Sequence, residues 1–161
     1  MSDMTVQLIM LGQVFLSLLL GALIGLEREY HAHPAGVRTY AAVCIGACVF
    51  GLVSTHAQGA SFYTSVVDPT RIAAQVASGI GFLGAGVIFR DGFNTSGLTT
   101  AATIWASAAI GLAISFEMYF ISVVTTLLII ALLFLSHIPG WSQLTGRNGA
   151  TLQSEEPYYD E

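Results

Sequence analysis

The chain has 161 residues, of which 54% are hydrophobic and only 9% are charged, and its formal net charge is −5. A soluble domain carries roughly 25% charged residues. This chain contains no lysine and lacks the charged surface that a soluble fold of its size needs. The composition therefore predicts a single-domain integral membrane protein, and the absence of a basic stripe argues against nucleic acid as a partner.

Five apolar stretches are long enough to be spanning helices, which need about 20 mostly apolar residues. They cover approximately residues 4–26, 39–55, 72–89, 100–115 and 118–137. The predicted fold class is thus all-α, a polytopic bundle of five transmembrane helices that occupies residues 1–137. A short polar and acidic tail follows over residues 138–161.

The first predicted helix carries small residues at every fourth position, among them Gly21 and Gly25, and stops at the charged triplet Glu27-Arg28-Glu29. Small residues let membrane helices approach each other closely, so we expect these glycines to pack against a neighbouring helix. The segment lacks the positive n-region of a signal peptide and is too long for its apolar region. We therefore expect it to be retained.

The second predicted helix contains Cys44 and Cys48, four residues apart in an apolar run. No other cysteine or histidine lies near them at ligand spacing, so we interpret them as small packing residues. The third helix follows a start signal in which Asp68 can cap the first turn, with Arg71 directly after it.

The third helix also contains the string GIGFLGAGVI, a literal G-x-G-x-x-G. A dinucleotide site needs a preceding strand and an acidic residue about 20 positions later, whereas no acidic residue lies between Asp91 and Glu117. We therefore interpret these glycines as a surface for close helix packing. They are Gly79, Gly81, Gly84 and Gly86.

The fourth predicted helix is mostly Ala, Ser and Gly, whereas the fifth is rich in bulky aliphatic residues and has no glycine. This contrast predicts that helices one, three and four form the tight centre and that helix five faces lipid. No acidic or basic residue lies within a predicted span, which argues against a proton relay or a charged ion pathway.

Arginine placement predicts the orientation. With five spans, four of the five arginines share one side with the C-terminus, and only Arg71 lies on the other side. The positive-inside rule then puts the N-terminus outside and the C-terminus in the cytoplasm.

The polar residues outside the tail concentrate in two cytoplasmic turns, over residues 27–39 and 90–100. If the two helical hairpins pack side by side, these turns form one cytoplasmic cap. Such residues are either interface anchors that pair with each other or a functional site. The candidate residues are Glu27, Arg28, Arg38, Arg90, Asp91, Asn94 and Thr100.

These residues give little indication of enzymatic activity. There is no lysine for a phosphate-binding loop or Schiff base, no H-E-x-x-H motif, and no base paired with the threonines. We therefore predict no enzymatic activity and no resident cofactor. Asp91 and Glu27 could contribute to a Mg²⁺ site, because one or two carboxylates suffice for an ion that keeps its waters; the identity of any metal stays open.

Three segments, residues 21–39, 68–92 and 97–111, resemble in order the MgtC/SapB family of bacterial inner-membrane proteins. The resemblance implies a multi-pass inner-membrane protein of five helices with a cytoplasmic C-terminus. Besides the glycines of residues 79–86, the signature positions carried over are Glu27, Arg28, Arg38, Arg71, Arg90, Asn94 and Thr100. Longer members carry a cytoplasmic regulatory domain after the fifth helix, so this chain looks like a short form without it.

The resemblance also implies a role in adaptation to low magnesium and in virulence, by regulation of a partner such as the ATP synthase or an ion transporter. We therefore expect a non-enzymatic membrane regulator that contacts lipid and a partner protein. The alternative is an oligomeric transporter or channel for Mg²⁺ or another small ion, which a faint repeat at an offset of 61 residues favours. We also expect the chain to form a homo-oligomer, which the transporter alternative requires because five helices leave little room for a closed pathway.

Overall fold

The computed structural model describes residues 3–56, 68, 70–91 and 94–135. In chain order they form α1 (Asp3–Tyr30), α2 (Val37–His56), α3 (Thr70–Gly86), β1 (Phe89–Asp91), β2 (Asn94–Ser96), α4 (Leu98–Ser115) and α5 (Tyr119–Leu135). The prediction of an all-α fold with five helices is confirmed. The predicted tail over residues 138–161 lies outside the described residues.

Two predicted helix ends need correction. The first helix does not stop before its charged triplet but continues to Tyr30, because the Glu27 and Arg28 side chains fold back into the bundle instead of pointing to solvent. The third helix ends at Gly86, three residues early, because the chain enters a small antiparallel hairpin in which Phe89 pairs with Ser96 and Arg90 with Thr95.

The centre of the bundle is formed by α1, α2 and α4. An added Cβ at Gly21 of α1 would lie 2.7 Å from the Tyr40 carbonyl oxygen of α2, and one at Gly25 would lie 2.5 Å from the Val37 Cα. On the other side of α2, Gly111 of α4 meets the Cys44 backbone. Helix α2 thus packs against a glycine-bearing neighbour on each side, which gives close backbone contact.

Helix α3 lies at the edge of this bundle, so the expectation that it belongs to the centre is wrong. Its only buried residue is Gly84, whereas α2 has seven buried residues. Helix α2 takes the central place because the face containing Tyr40, Cys44 and Cys48 fits between α1 and α4. Both cysteines are free and buried, as expected for packing residues.

Helix α5 packs through a narrow stripe of Ser122, Thr126 and Leu133. Its other large side chains, including Leu127, Leu128 and Leu132, are exposed. An apolar surface of this kind suits lipid, in agreement with the prediction for the fifth helix.

Three described helices are long and apolar enough to cross a membrane: Met4–Tyr30, Val37–His56 and Leu98–Ser115. The other two, α3 and α5, have 17 residues each. A bilayer environment for this chain follows from the three long helices, and membrane crossing by α3 and α5 stays a prediction.

Candidate functional site

A buried group of charged side chains lies in the last turn of α1. Glu27 is 8% exposed and Arg28 is 3% exposed. The Arg28 Nη1 lies 3.8 Å from the Glu27 Oε2, and the His31 Nδ1 lies 3.1 Å from the Glu27 Oε1. Since both charges belong to the candidate span Met4–Tyr30, the expectation that no ionisable residue lies within a span is wrong.

This charged group is incompletely hydrogen-bonded. Within the described part of the chain, neither carboxylate oxygen of Glu27 nor the Arg28 Nε has a hydrogen-bond partner. Buried polar atoms are almost always paired, so an unpaired set calls for a specific explanation. Removing one member of such a pair leaves an uncompensated buried charge, which typically costs about 3–5 kcal/mol.

A hydroxyl pair lies next to this group, between α2 and α4. The Tyr40 and Thr103 hydroxyl oxygens are 2.6 Å apart and both side chains are buried. The Thr103 hydroxyl also reaches the Thr100 carbonyl oxygen at 3.0 Å. Tyr40 is close enough to Arg28 and Glu27 to interact with both charges. Thr100, a predicted cap residue, is therefore buried at the same end of the bundle.

Glu29 has a different task from its neighbours. Its side chain points out of the bundle, and its Oε2 accepts a hydrogen bond of 3.0 Å from the Val37 backbone N–H. This N–H opens α2 and has no partner within the helix, so Glu29 acts as a capping acceptor. An added Cβ at Gly36 would lie 2.6 Å from that oxygen, so a side chain there would displace the Glu29 carboxylate from its capping position.

Two further predicted cap residues have exposed side chains. Arg38 is exposed on α2, and Arg90 is exposed on β1. Asp91 and Asn94 belong to the hairpin, but their side chains lie outside the described part of the structure. The proposed Mg²⁺ pairing of Asp91 with Glu27 is therefore a prediction still. Among the side chains that are described, no three His, Cys, Asp or Glu gather as a metal site.

The predicted packing glycines fall into two groups. Gly21 and Gly25 pack tightly on α2, and Gly84 meets Ala101 of α4, with 3.6 Å between an added Cβ and the Ala101 Cβ. An added Cβ at Gly79, Gly81 or Gly86 would have no described atom within 4 Å. These three have no packing role within the described part of one chain, and contact with another chain stays a prediction.

The start of α3 has the local geometry of a capped helix. The Asp68 Oδ1 accepts hydrogen bonds from the Thr70 hydroxyl at 2.6 Å and from the Thr70 backbone N–H at 3.0 Å. These bonds, the hydroxyl one first, hold the pKa of the Asp68 carboxyl below its ordinary value. The Arg71 Nε lies 3.9 Å from the Asp68 Oδ2, and both side chains are largely exposed.

One buried polar residue was missed by the sequence analysis. Gln13 is buried inside α1, and its Nε2 donates hydrogen bonds to the Ile114 carbonyl oxygen at 3.0 Å and to the Tyr119 hydroxyl at 3.1 Å. It therefore joins α1 to the last turn of α4 and to the first residue of α5. The position of Gln13 within an apolar run could have indicated this role, because an amide in such a run tends to hydrogen-bond across helices.

The fold and this site define a class: a helical membrane protein with a buried acid–base group at the end of its first helix. Comparison with known proteins identifies the family. The chain belongs to the MgtC family, whose family model matches residues 14–138.

Curated relatives agree with this assignment. Protein MgtC of Brucella abortus is 49% identical over 113 residues, covering 70% of this chain and 45% of the relative. Protein MgtC of Salmonella typhimurium is 57% identical over 95 residues, covering 59% of this chain and 38% of the relative. An uncharacterized protein of Haemophilus influenzae is 47% identical over 135 residues, covering 80% of this chain and 56% of the relative. The chain thus spans about half the length of these relatives. No solved structure matches it significantly.

Proposed function

We propose that this protein is a non-enzymatic regulator in the bacterial inner membrane that acts by helix-to-helix contact with a partner membrane protein. The contact surface is the outer face of α3, defined by Ala77, Gly81 and Ala85. All three are exposed, and their spacing of four residues places them on one side of the helix. This face supports the proposal because small residues at that spacing favour close approach of membrane helices.

The space around α3 adds to this argument. A groove of about 530 Å³ separates α3 from α2 and is lined by apolar side chains such as Phe50, Ile72 and Leu83. Helix α3 is therefore separated from α2 and meets the bundle mainly through α4, where Gly84 lies against Ala101. A helix with little burial in its own bundle can take a partner helix without disrupting the α1–α2–α4 centre.

Family membership supports placing this regulation in adaptation to low magnesium and in virulence. The partner would be the ATP synthase or an ion transporter, as the resemblance implies. Because the match covers only about half of each relative's length, their full activity is itself a proposal here.

The test is Gly81→Leu, compared with Gly12→Leu in α1, where an added Cβ would likewise have no described atom within 4 Å. We expect both variants to keep the melting temperature of the unmodified protein in detergent. We expect only Gly81→Leu to lose complementation of a deletion strain grown in low-magnesium medium. Full complementation by Gly81→Leu would contradict the proposal.

A second candidate function is an oligomeric ion transporter, and the buried charges of Glu27 and Arg28 favour it. Ionisable residues inside a membrane protein commonly mark ion pathways. Uptake of Mg²⁺ into proteoliposomes that contain only this protein tests it directly. Uptake that is lost in a folded Glu27→Gln variant would establish transport, and no uptake above empty vesicles would exclude Mg²⁺ as the transported ion.

A further inference from the structure

The groove between α2 and α3 lies alongside a candidate membrane span. Its α2 wall includes Gly46 and Phe50, which belong to the span Val37–His56. Its α3 wall extends from Ile72 to Leu83. The groove is thus an apolar cleft at the depth of the lipid hydrocarbon, where its lining gains dispersion contacts from an apolar group that fills it.

The groove is too narrow for a helix and wide enough for a hydrocarbon chain. At a rise of about 1.5 Å per residue, its α3 wall is about 17 Å long. A volume of about 530 Å³ over that length gives a mean cross-section of roughly 30 Å². A helix ~10 Å across occupies about 80 Å², whereas an acyl chain is a single file of methylene groups. These dimensions favour a lipid chain over a partner helix as the occupant.

One side of α3 changes from charged to apolar along the groove. Arg71, Gln75 and Gly79 follow each other at intervals of four residues, so they lie on the same side of the helix, about 6 Å apart along its axis. The Arg71 side chain is 87% exposed, and among the described lining residues Gln75 alone has a polar side chain. A phospholipid changes in the same order, from phosphate through ester carbonyls to acyl chain. The guanidinium can bind the phosphate, and the Gln75 amide can donate a hydrogen bond to an ester carbonyl.

The Arg71 guanidinium keeps donors for a phosphate although Asp68 is near. Its Nε lies 3.9 Å from the Asp68 Oδ2, beyond hydrogen-bonding distance. The Asp68 carboxylate instead accepts hydrogen bonds from the hydroxyl and the backbone N–H of Thr70. Long helical side chains point toward the helix N-terminus, so Arg71 extends from the end of the groove toward the membrane surface, where its charged end stays hydrated.

Two other sites on the described bundle provide comparisons. At the opposite end of the same groove, Arg38 is exposed, but the next residues on its side of α2 are Ala42 and Gly46, which have no amide side chain. A second apolar groove, of about 500 Å³, is lined by Gly12 and other residues of α1. The sequence has no arginine over residues 4–26, so this second groove is an uncharged match for the first.

We propose that the groove between α2 and α3 binds one anionic phospholipid, with its phosphate on Arg71 and one acyl chain along Gly79. An anionic headgroup fits better than a zwitterionic one, because it has no cation of its own to compete with the guanidinium. The bound chain fills the space between the two helices and so joins α3 to α2. This face of α3 is separate from the outer face defined by Ala77, Gly81 and Ala85, so the lipid leaves the outer face open to a partner.

The first experiment measures binding of phosphatidylglycerol to the full chain in detergent by native mass spectrometry. An arginine at the membrane surface strengthens binding of an anionic lipid about fivefold, so Arg71→Gln should weaken binding by about that factor. Arg71→Lys, which keeps the charge, should weaken it less, and Arg38→Gln should leave it unchanged. Diacylglycerol with the same acyl chains should bind the unmodified protein and Arg71→Gln equally. Equal binding of phosphatidylglycerol by the unmodified protein and Arg71→Gln, or an equal loss in Arg38→Gln, would overturn the proposal.

The second experiment locates the acyl chain with phosphatidylglycerol that carries a photoreactive diazirine in that chain. We expect labelling of both walls of the groove, at residues such as Phe50 and Leu83. Gly79→Leu should reduce this labelling because its side chain enters the groove, whereas Gly12→Leu should leave it unchanged. An added Cβ has no described atom within 4 Å at either glycine, so both variants should fold. If circular dichroism shows that Gly79→Leu does not fold, Gly46→Leu on the opposite wall, which has the same open space, takes its place.

The pattern of labelling also distinguishes other occupants. Equal labelling of the grooves that contain Gly79 and Gly12 would mean that lipid merely surrounds the bundle. Labelling of the exposed face of α5 without labelling of the groove walls in native membranes would mean that another polypeptide occupies the groove. Either result would overturn the proposal.

Discussion

The close contact of α4 with α2 gives a sharp prediction for Gly111. An added Cβ there would meet the Cys44 carbonyl group, with its carbon at 3.0 Å, and the Cys48 nitrogen at 3.1 Å. These are backbone atoms of a central helix, so they cannot move aside as a flexible side chain would. Overpacking of this kind costs about 1–3 kcal/mol, and we take the upper end because the obstacle is backbone.

The same substitution also gains helix propensity, since alanine is favoured over glycine by about 1 kcal/mol within a helix. Gly111→Ala should therefore destabilise the protein by a net ~2 kcal/mol. Gly79→Ala is the matched control, because its added Cβ has no described atom within 4 Å. It should gain up to ~1 kcal/mol, so the two variants should differ by ~3 kcal/mol.

The assay is thermal unfolding in detergent micelles, followed by circular dichroism. We expect Gly111→Ala to melt below the unmodified protein and Gly79→Ala to melt at or above it. Equal melting temperatures, or the reverse order, would refute the assignment of α2 and α4 to the centre and of α3 to the edge.

Three further predictions concern local structure. Glu29→Ala should destabilise the protein by about 0.5–2 kcal/mol through loss of the α2 cap, whereas Glu29→Gln, which keeps an acceptor oxygen, should cost less. Urea unfolding in detergent would detect the difference. Equal losses of stability in the two variants would count against capping by Glu29. Gly97 has φ 86°, and an added Cβ there would clash with the Val87 carbonyl oxygen. The melting temperature of Gly97→Ala should therefore lie well below that of the unmodified protein. An unchanged melting temperature would contradict the hairpin geometry. Hydrogen bonds from Thr70 lower the pKa of the Asp68 carboxyl, so the stability that Asp68 contributes should be present at neutral pH and disappear as pH falls below about 4, the ordinary carboxyl range. The difference in melting temperature between the unmodified protein and Asp68→Ala should therefore shrink on acidification. A difference that stays constant would argue against this capping role of Asp68.

The helices themselves could be predicted because apolar runs of this length form them in a membrane whatever their neighbours are. The bulky composition of the fifth helix likewise predicted its exposed face, since such a surface needs only lipid. Both features depend on the local sequence alone.

Other features depend on tertiary contacts and could not be read from the chain. Small residues favour close packing, but Gly81 and Gly111 look alike in sequence, and only the fold shows that Gly111 faces α2 whereas Gly81 faces outward. In the sequence, Glu27 and Arg28 indicate the charged end of a helix. Their burial depends on the surrounding helices, so it could not be predicted from the chain. Hydrogen bonds between distant residues, such as that from Gln13 to the Tyr119 hydroxyl, also require the fold.

The central claim, that the outer face of α3 binds a transmembrane helix of another protein, can be tested by photo-crosslinking in native membranes. In one variant a benzophenone amino acid would replace Phe82, which follows Gly81 and is 82% exposed. In a matched control variant it would replace Phe120 of α5, which is 80% exposed. We predict a discrete adduct with another membrane protein from position 82, lost in the Gly81→Leu variant, and no such adduct from position 120. Adducts of equal yield at both positions, or an adduct at position 82 unaffected by Gly81→Leu, would contradict the account.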